Sequence, residues 1–224
     1  MSNAYYLNSL YPLQDHVLQL LEAAKTPFYL TGGTALSRCY LQHRFSDDLD
    51  FFVNRRKEFA DDTRQALVAL RSRKDWTIEV EVNSPDFMRC YVVTSSAKLK
   101  LDFVNDITYR FGDVQCHSLF YRVDNLRNML SNKLGAVGRN EARDMADIVF
   151  TCRLLAFSWR DIFNEAQQKD DWVNPLEISR LMAEYDMSRF KNLPWMHDVN
   201  CDQLTEEMQK LSREILLGAE HRAN

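Results

Sequence analysis

The chain has 224 residues, of which 46% are hydrophobic and 27% charged, and a formal net charge of −4. This length sets one large domain or two small ones, and the apolar fraction supplies a packed core, which excludes global disorder. The acidic balance argues against a protein that lives by gripping a long nucleic-acid backbone, where a basic excess is the rule.

In chain order, residues 12–24 place Leu13, Val17, Leu20, Leu21 and Ala24 at helical spacing. A short buried strand at Phe28-Tyr29-Leu30 runs into Gly32-Gly33 and a predicted helix at about 34–42. A strand follows at 48–53, then an amphipathic helix at about 57–73. Strands are predicted at 76–82, 88–95 and 98–104, the last two joined by a hairpin through Ser95-Ser96-Ala97. Beyond about residue 123 the pattern turns helical, over 125–138, 140–157, 159–169, 175–185 and 202–217. The expected fold class is α+β: a mixed sheet flanked by helices over residues 1–115, then a C-terminal helical bundle over 116–224. Trp159, Trp172 and Trp195 are assigned to the helical core.

No apolar run is long enough to span a membrane, and the N-terminus lacks the basic start and apolar stretch of a secretory signal. Five scattered cysteines without CxxC spacing fit reduced thiols, and neither a disulfide frame nor a zinc site. A cytoplasmic location is therefore expected. The five histidines form no recognisable triad with a cysteine or serine.

The chemistry concentrates in carboxylates. Along a strand, residues i and i+2 share a face, so Asp48 and Asp50 project together while Leu49, Phe51 and Val53 point to a core. Two adjacent carboxylates repel unless a cation sits between them, and Mg²⁺ prefers oxygen ligands. Alone, this segment fits an exposed acidic turn equally well. In 98–104, Lys98, Lys100 and Asp102 share the face opposite Leu99, Leu101 and Phe103. Asp102 thereby becomes a third candidate metal ligand, able with Asp48 and Asp50 to hold metals for an in-line phosphoryl displacement.

Gly32-Gly33-Thr34 links a strand to a helix start, where backbone N–H groups can approach a phosphate. Thr34 either adds a hydroxyl or caps the helix. Arg38 sits one turn in, where a phosphate contact and an ordinary surface position are equally compatible. Farther along, Lys133 lies about 20° from Leu126 in helical projection, inside an apolar stripe with Leu130 and Val137. A lysine there needs an acidic group or a phosphate as partner. Arg143 and Asp147 form an i,i+4 pair, and Asp144 borders the next apolar stripe, where an ion pair and a catalytic role stay open.

The run GGTAL-x7-R-x-SDDLDFF resembles the Gly-Gly/Ser…Asp-x-Asp signature of DNA polymerase β-type nucleotidyltransferases. More narrowly, it resembles the AbiEii/AbiGii nucleotidyltransferase toxins of bacterial toxin–antitoxin and abortive-infection systems, with matching motifs from about residue 30 to 147. The resemblance implies that Asp48, Asp50 and Asp102 bind Mg²⁺ or Mn²⁺, and that Gly32, Gly33 and Thr34 cradle the phosphates of an NTP. It implies catalytic or triphosphate-binding roles for Lys133, Arg143 and Asp144, in a helical domain that closes the nucleotide cleft. Arg139 competes with Arg143, because the family's usual lysine-to-basic spacing is shorter. The implied reaction transfers NMP to an acceptor hydroxyl, on an RNA 3′ end such as tRNA or on a protein, with a cognate antitoxin as partner. The rivals are a non-catalytic nucleotide-binding or antitoxin-like module, and a metal-dependent phosphodiesterase or nuclease.

Overall fold

The computed structural model describes residues 3–223. The chain divides into two compact units, Met1–Tyr40 with Phe45–Asp124, and Leu41–Arg44 with Asn125–Asn224. Among the described residues no helix is long and apolar enough to cross a membrane.

In the first unit, short helical turns at Asn3–Tyr5 and Tyr6–Leu10 lead into helix α1, Tyr11–Ala23. It buries Leu13, Val17, Leu18 and Leu21; Leu18 takes the inward place predicted for Leu20. Strand β1 is Tyr29–Thr31 and helix α2 is Gly32–Ala35, continued by a π-helical stretch at Leu36–Leu41. Strand β2 (Asp48–Asn54) precedes helix α3 (Phe59–Arg71), and strands β3 (Thr77–Asn83), β4 (Phe87–Val93) and β5 (Lys98–Asp106) follow. The sheet order is β1-β2-β5-β4-β3. Only β2 and β5 pair in parallel, so the sheet is mixed.

Strict burial alternation along β2 and β4 sends Leu49, Phe51, Val53, Met88, Cys90 and Val92 into the core. Phe51 stacks on Phe103 with centroids 5.1 Å apart, and Phe28 meets Phe103 edge-on. β3 is mostly exposed, and its Glu79 and Glu81 protect that edge from further strand pairing. Residues 122–124 run beside β1, with Leu30 N donating to Arg122 O and Asp124 N to Leu30 O, both at 2.8 Å.

The second unit holds helices α4 (Leu126–Ala136), α5 (Ala142–Cys152), α6 (Trp159–Gln167), α7 (Pro175–Ala183) and α8 (Cys201–Leu217), with 3₁₀ turns at Val137–Arg139 and Met187–Asn192. Asparagines at 125, 174 and 200 cap α4, α7 and α8 by accepting first-turn N–H groups. Its core gathers Leu130, Met145, Ile148, Trp159, Ile178 and Leu211. The predicted helix 140–157 ends at Cys152 instead, because Phe157–Ser158 (β6) pairs with Glu220–His221 (β7). Trp159 is fully buried and Trp195 packs on the core, whereas Trp172 is 37% exposed and lies against Gly138. The assignment of all three tryptophans to the core fails at Trp172.

Candidate active site

The parallel pairing of β2 with β5 sets Asp48 opposite Lys100 and Asp50 opposite Asp102. Asp48, Asp50 and Asp102 therefore share one sheet face across adjacent strands, about 5 Å apart in the pairing direction. Antiparallel pairing with β4 brings Arg89 opposite Asp102. Arg89 grips that carboxylate bidentately, with Nε to Oδ1 at 2.7 Å and Nη2 to Oδ2 at 2.8 Å. The hydrogen bonds to Asp102 push the Arg89 pKa upward. Lys100 Nζ lies 2.8 Å from Asp48 Oδ2 and 3.4 Å from Asp102 Oδ2. Burial works against its charge, but the bond to Asp48 and the fields of Asp102 and Asp50 outweigh it and raise its pKa. A lysine ammonium thus provides the positive charge this face requires.

The glycine turn is built against the same carboxylates. Gly32 has φ +71°, and a Cβ there would collide with the Asp50 carboxylate. Only glycine combines that backbone geometry with so close an approach. Thr34 is buried and its hydroxyl donates to the Asp48 carbonyl, so it ties α2 to β2. Arg38 points elsewhere: it pairs with Asp15 at 2.7 Å, donates to Gln14 Oε1 at 3.1 Å and lies over the Tyr11 ring. These contacts anchor α2 on α1 rather than presenting the guanidinium to a phosphate.

For a divalent cation the donor chemistry fits, since the face offers carboxylate oxygens and no soft ligand. As they stand, no group of three His, Cys, Asp or Glu side chains among the described residues is set to hold a metal. Lys100 occupies the space between Asp48 and Asp102, and Arg89 engages both oxygens of Asp102. Asp48 and Asp50 would hold the ion once Lys100 turns aside.

The second unit has its own charged centre. Lys133 is buried, and Nζ contacts Asp144 Oδ1 and Asp147 Oδ2, each at 2.7 Å. Asp147 also accepts from Arg44, Nε to Oδ1 and Nη2 to Oδ2 both at 2.8 Å, and meets His43 Nε2 at 2.9 Å. Burial pushes the Asp147 pKa up, but Arg44, Lys133 and His43 overcome this and hold it well below the usual carboxylate range. Burial likewise lowers His43, more than Asp147 raises it, and keeps the imidazole neutral. Lys133 is opposed by burial but raised by Asp147 and Asp144. Arg139 Nη2 lies 3.0 Å from Asp144 Oδ2, within ion-pair distance though without hydrogen-bond alignment. Arg143 is exposed and forms no ion pair among the described residues, so the expected Arg143–Asp147 pair is absent and Arg139 serves Asp144.

Sequence reasoning missed Arg89, Arg44, His43 and the hub role of Asp147. Lys100 was visible as the i−2 neighbour of Asp102 on a strand face. Arg89 becomes visible only through the β4–β5 register, and the hub role of Asp147 through His43 and Arg44, 104 and 103 positions away.

No curated protein sequence matches the chain. Among solved structures, it is similar over 96% of its length to JHP933 from Helicobacter pylori, at 20% identity and TM-score 0.63, covering 93% of that chain. It is equally similar to a putative nucleotidyltransferase from H. pylori, again at 20% identity and TM-score 0.63, covering 96% of both chains. MenT4, a nucleotidyltransferase toxin from Mycobacterium tuberculosis H37Rv, aligns with 92% of this chain and 82% of its own, at 16% identity and TM-score 0.65. At such identities these structures establish a shared fold. The family model described as nucleotidyl transferase AbiEii toxin, type IV TA system, spans residues 18–216. The chain belongs to the AbiEii family of nucleotidyltransferase toxins.

Proposed function

We propose that the protein transfers NMP from an NTP to an acceptor hydroxyl, an RNA 3′ end such as that of tRNA or a protein side chain, and releases pyrophosphate. The observation that carries this reading is the juxtaposition of Asp48, Asp50 and Asp102 on one sheet face, with Gly32 packed against Asp50. Asp48 and Asp50 would hold Mg²⁺ or Mn²⁺, which when bound neutralises charge on the transferring phosphoryl group. Backbone N–H groups at Gly32 and Gly33 would receive the phosphates. Thr34 fixes that turn to the acidic strand through the Asp48 carbonyl. Asp102, oriented by Arg89, would position the acceptor hydroxyl and draw its proton.

Lys133 and Asp144 are assigned to triphosphate neutralisation and its orientation. Their cluster sets Lys133, Arg44 and Arg139 against Asp144 and Asp147, which leaves a net positive charge with His43 neutral. A cognate antitoxin that blocks transfer, and action in the cytoplasm, follow from the family reading.

The test incubates the protein with each NTP labelled at the α-phosphate, Mg²⁺, and total bacterial RNA and protein. Label should enter one acceptor class, and Asp48→Ala or Asp50→Ala should fold but lose transfer. Undiminished transfer by either variant would sink the assignment. Shortened RNA without incorporation would favour the phosphodiesterase reading, and failure to bind any NTP the non-catalytic module.

A further inference from the structure

At the far end of β2 from its carboxylates, the first unit contains a cavity of about 590 Å³. Asn54 lies there, six residues along the strand from Asp48, hence roughly 20 Å from it. The lining includes Arg55, Arg56, Lys57, Arg110 and Arg122, with Glu58 the one acidic member. In a chain of net charge −4 this is a pronounced local excess of positive charge.

Internal pairing does not absorb that charge. Arg56 is engaged by Asp62 and Glu58. Arg110 approaches Asp124 at 3.4 Å and donates Nη1 to the Gly112 carbonyl at 2.5 Å. Arg55, Lys57 and Arg122 form no ion pair among the described residues. The Nε groups of both Arg110 and Arg122 are buried without any hydrogen-bond partner. A buried guanidinium N–H without an acceptor carries a desolvation cost that a ligand oxygen would remove.

The pocket is also rigidly built. Asn54 Nδ2 donates to Ile107 O at 2.7 Å, and Asn54 Oδ1 accepts from the Tyr29 hydroxyl at 3.1 Å. Arg55 N donates to Asp106 O at 2.9 Å and Arg56 N to Asn105 Oδ1 at 2.7 Å. Arg55 holds φ +46°, a left-handed conformation uncommon for a side chain of its size. Arg110 lies over the Tyr29 ring at 5.1 Å, which fixes its guanidinium plane.

We propose that this cavity is a second, phosphate-binding site, separate from the metal and nucleotide face, which takes the phosphate groups of a free nucleotide or of an RNA strand. A carboxylate ligand would engage at most a pair of the donors. A terminal phosphate offers three acceptor oxygens and about two negative charges, and successive phosphodiesters of a strand offer two oxygens and one charge each; either set matches the pair of unpartnered Nε groups and the unpaired Arg55 and Lys57.

The experiment follows the arginine Nε–Hε resonances of the whole protein by NMR, without divalent ions. Arg110→Lys and Arg122→Lys assign the two signals. The probes are inorganic phosphate, pyrophosphate and a short single-stranded RNA ending in a 3′-deoxynucleotide. Both signals should shift saturably with a dissociation constant of about 1 mM or tighter. Saturation by the RNA at lower concentration than by pyrophosphate identifies a strand, and the reverse a free phosphate compound. Asp48→Ala should leave the shifts intact, since the acidic face takes no part. Replacing the exposed Arg55 and Lys57 together by serine should weaken binding about tenfold with the melting temperature unchanged. If neither signal moves with any probe, or if Asp48→Ala abolishes the shifts, the proposal is overturned.

Discussion

Arg89 and Asp102 meet fork to fork, with parallel hydrogen bonds of 2.7 and 2.8 Å from a guanidinium to a carboxylate on the neighbouring strand. The pair is half-shielded, with 32% of the arginine and 10% of the aspartate side chain exposed. Arg89→Met should therefore cost about 1–3 kcal/mol in urea unfolding by leaving Asp102 underpaired. Arg89→Lys should recover less than half of that, because an ammonium cannot reproduce the bidentate fork. Adding Asp102→Asn to Arg89→Met should restore part of the loss.

Gly32→Ala should separate activity from stability. The added methyl meets the Asp50 carboxylate in a backbone conformation that disfavours side chains. We expect transfer to fall by about a hundredfold, as for comparable misplacements of a reacting group, with a stability loss of about 1–3 kcal/mol. Gly218→Ala is the control. It shares a positive φ, of 58°, but its Cβ would find only Arg160 Nε, at 4.0 Å. It should cost about 1 kcal/mol at the end of α8 and leave transfer intact.

Lys100→Met removes the cation that sits between Asp48 and Asp102. Two opposite consequences follow. The metal-free protein should lose stability at low salt as the carboxylates repel one another. Mg²⁺ should bind more tightly, about tenfold by calorimetry, because it no longer displaces an ammonium. Unchanged Mg²⁺ affinity would mean that Lys100 does not share the ion's place.

The His43–Asp147 contact predicts the shape of the acid limb. Both groups have lowered pKa values in the folded state. Their stabilisation is therefore complete above the unfolded-state values, and is lost as the pH falls through the folded ones. For His43 the decline begins below about pH 6.5, and for Asp147 below about pH 4. Melting temperatures across pH 3–8 should decline in two phases, and His43→Gln should erase the upper one. Asp147→Asn should cost about 3–5 kcal/mol at pH 7, since Arg44 and Lys133 lose their shared buried counter-charge.

How much of this was legible depended on how far each residue's partners lie along the chain. Period-two alternation placed Asp48 and Asp50 on one face, because strand geometry alone decides it. The inward lysine at 133 was legible from helical phase, and it does find carboxylates. Asp102 was legible as a strand residue, but its pairing with Arg89 depends on an antiparallel register that no local pattern encodes. Arg38 misled because one turn past a glycine pair is where a phosphate ligand belongs, yet Asp15 and Gln14 on α1 claim it. The end of α5 was missed for a similar reason, since β6 has its partner more than sixty residues away.

The four residues 41–44 belong to the helical unit although the chain on either side belongs to the sheet unit. They lie between the glycine turn and the acidic strand, and Asp147 of the helical unit accepts from the buried guanidinium of Arg44 and meets the imidazole of His43. Cutting the chain after Asp124 would remove Asp147 from this segment. It would leave the Arg44 guanidinium without the carboxylate that accepts its bidentate hydrogen bonds. Synthesis must therefore pass Asp147 before Arg44 gains this buried counter-charge.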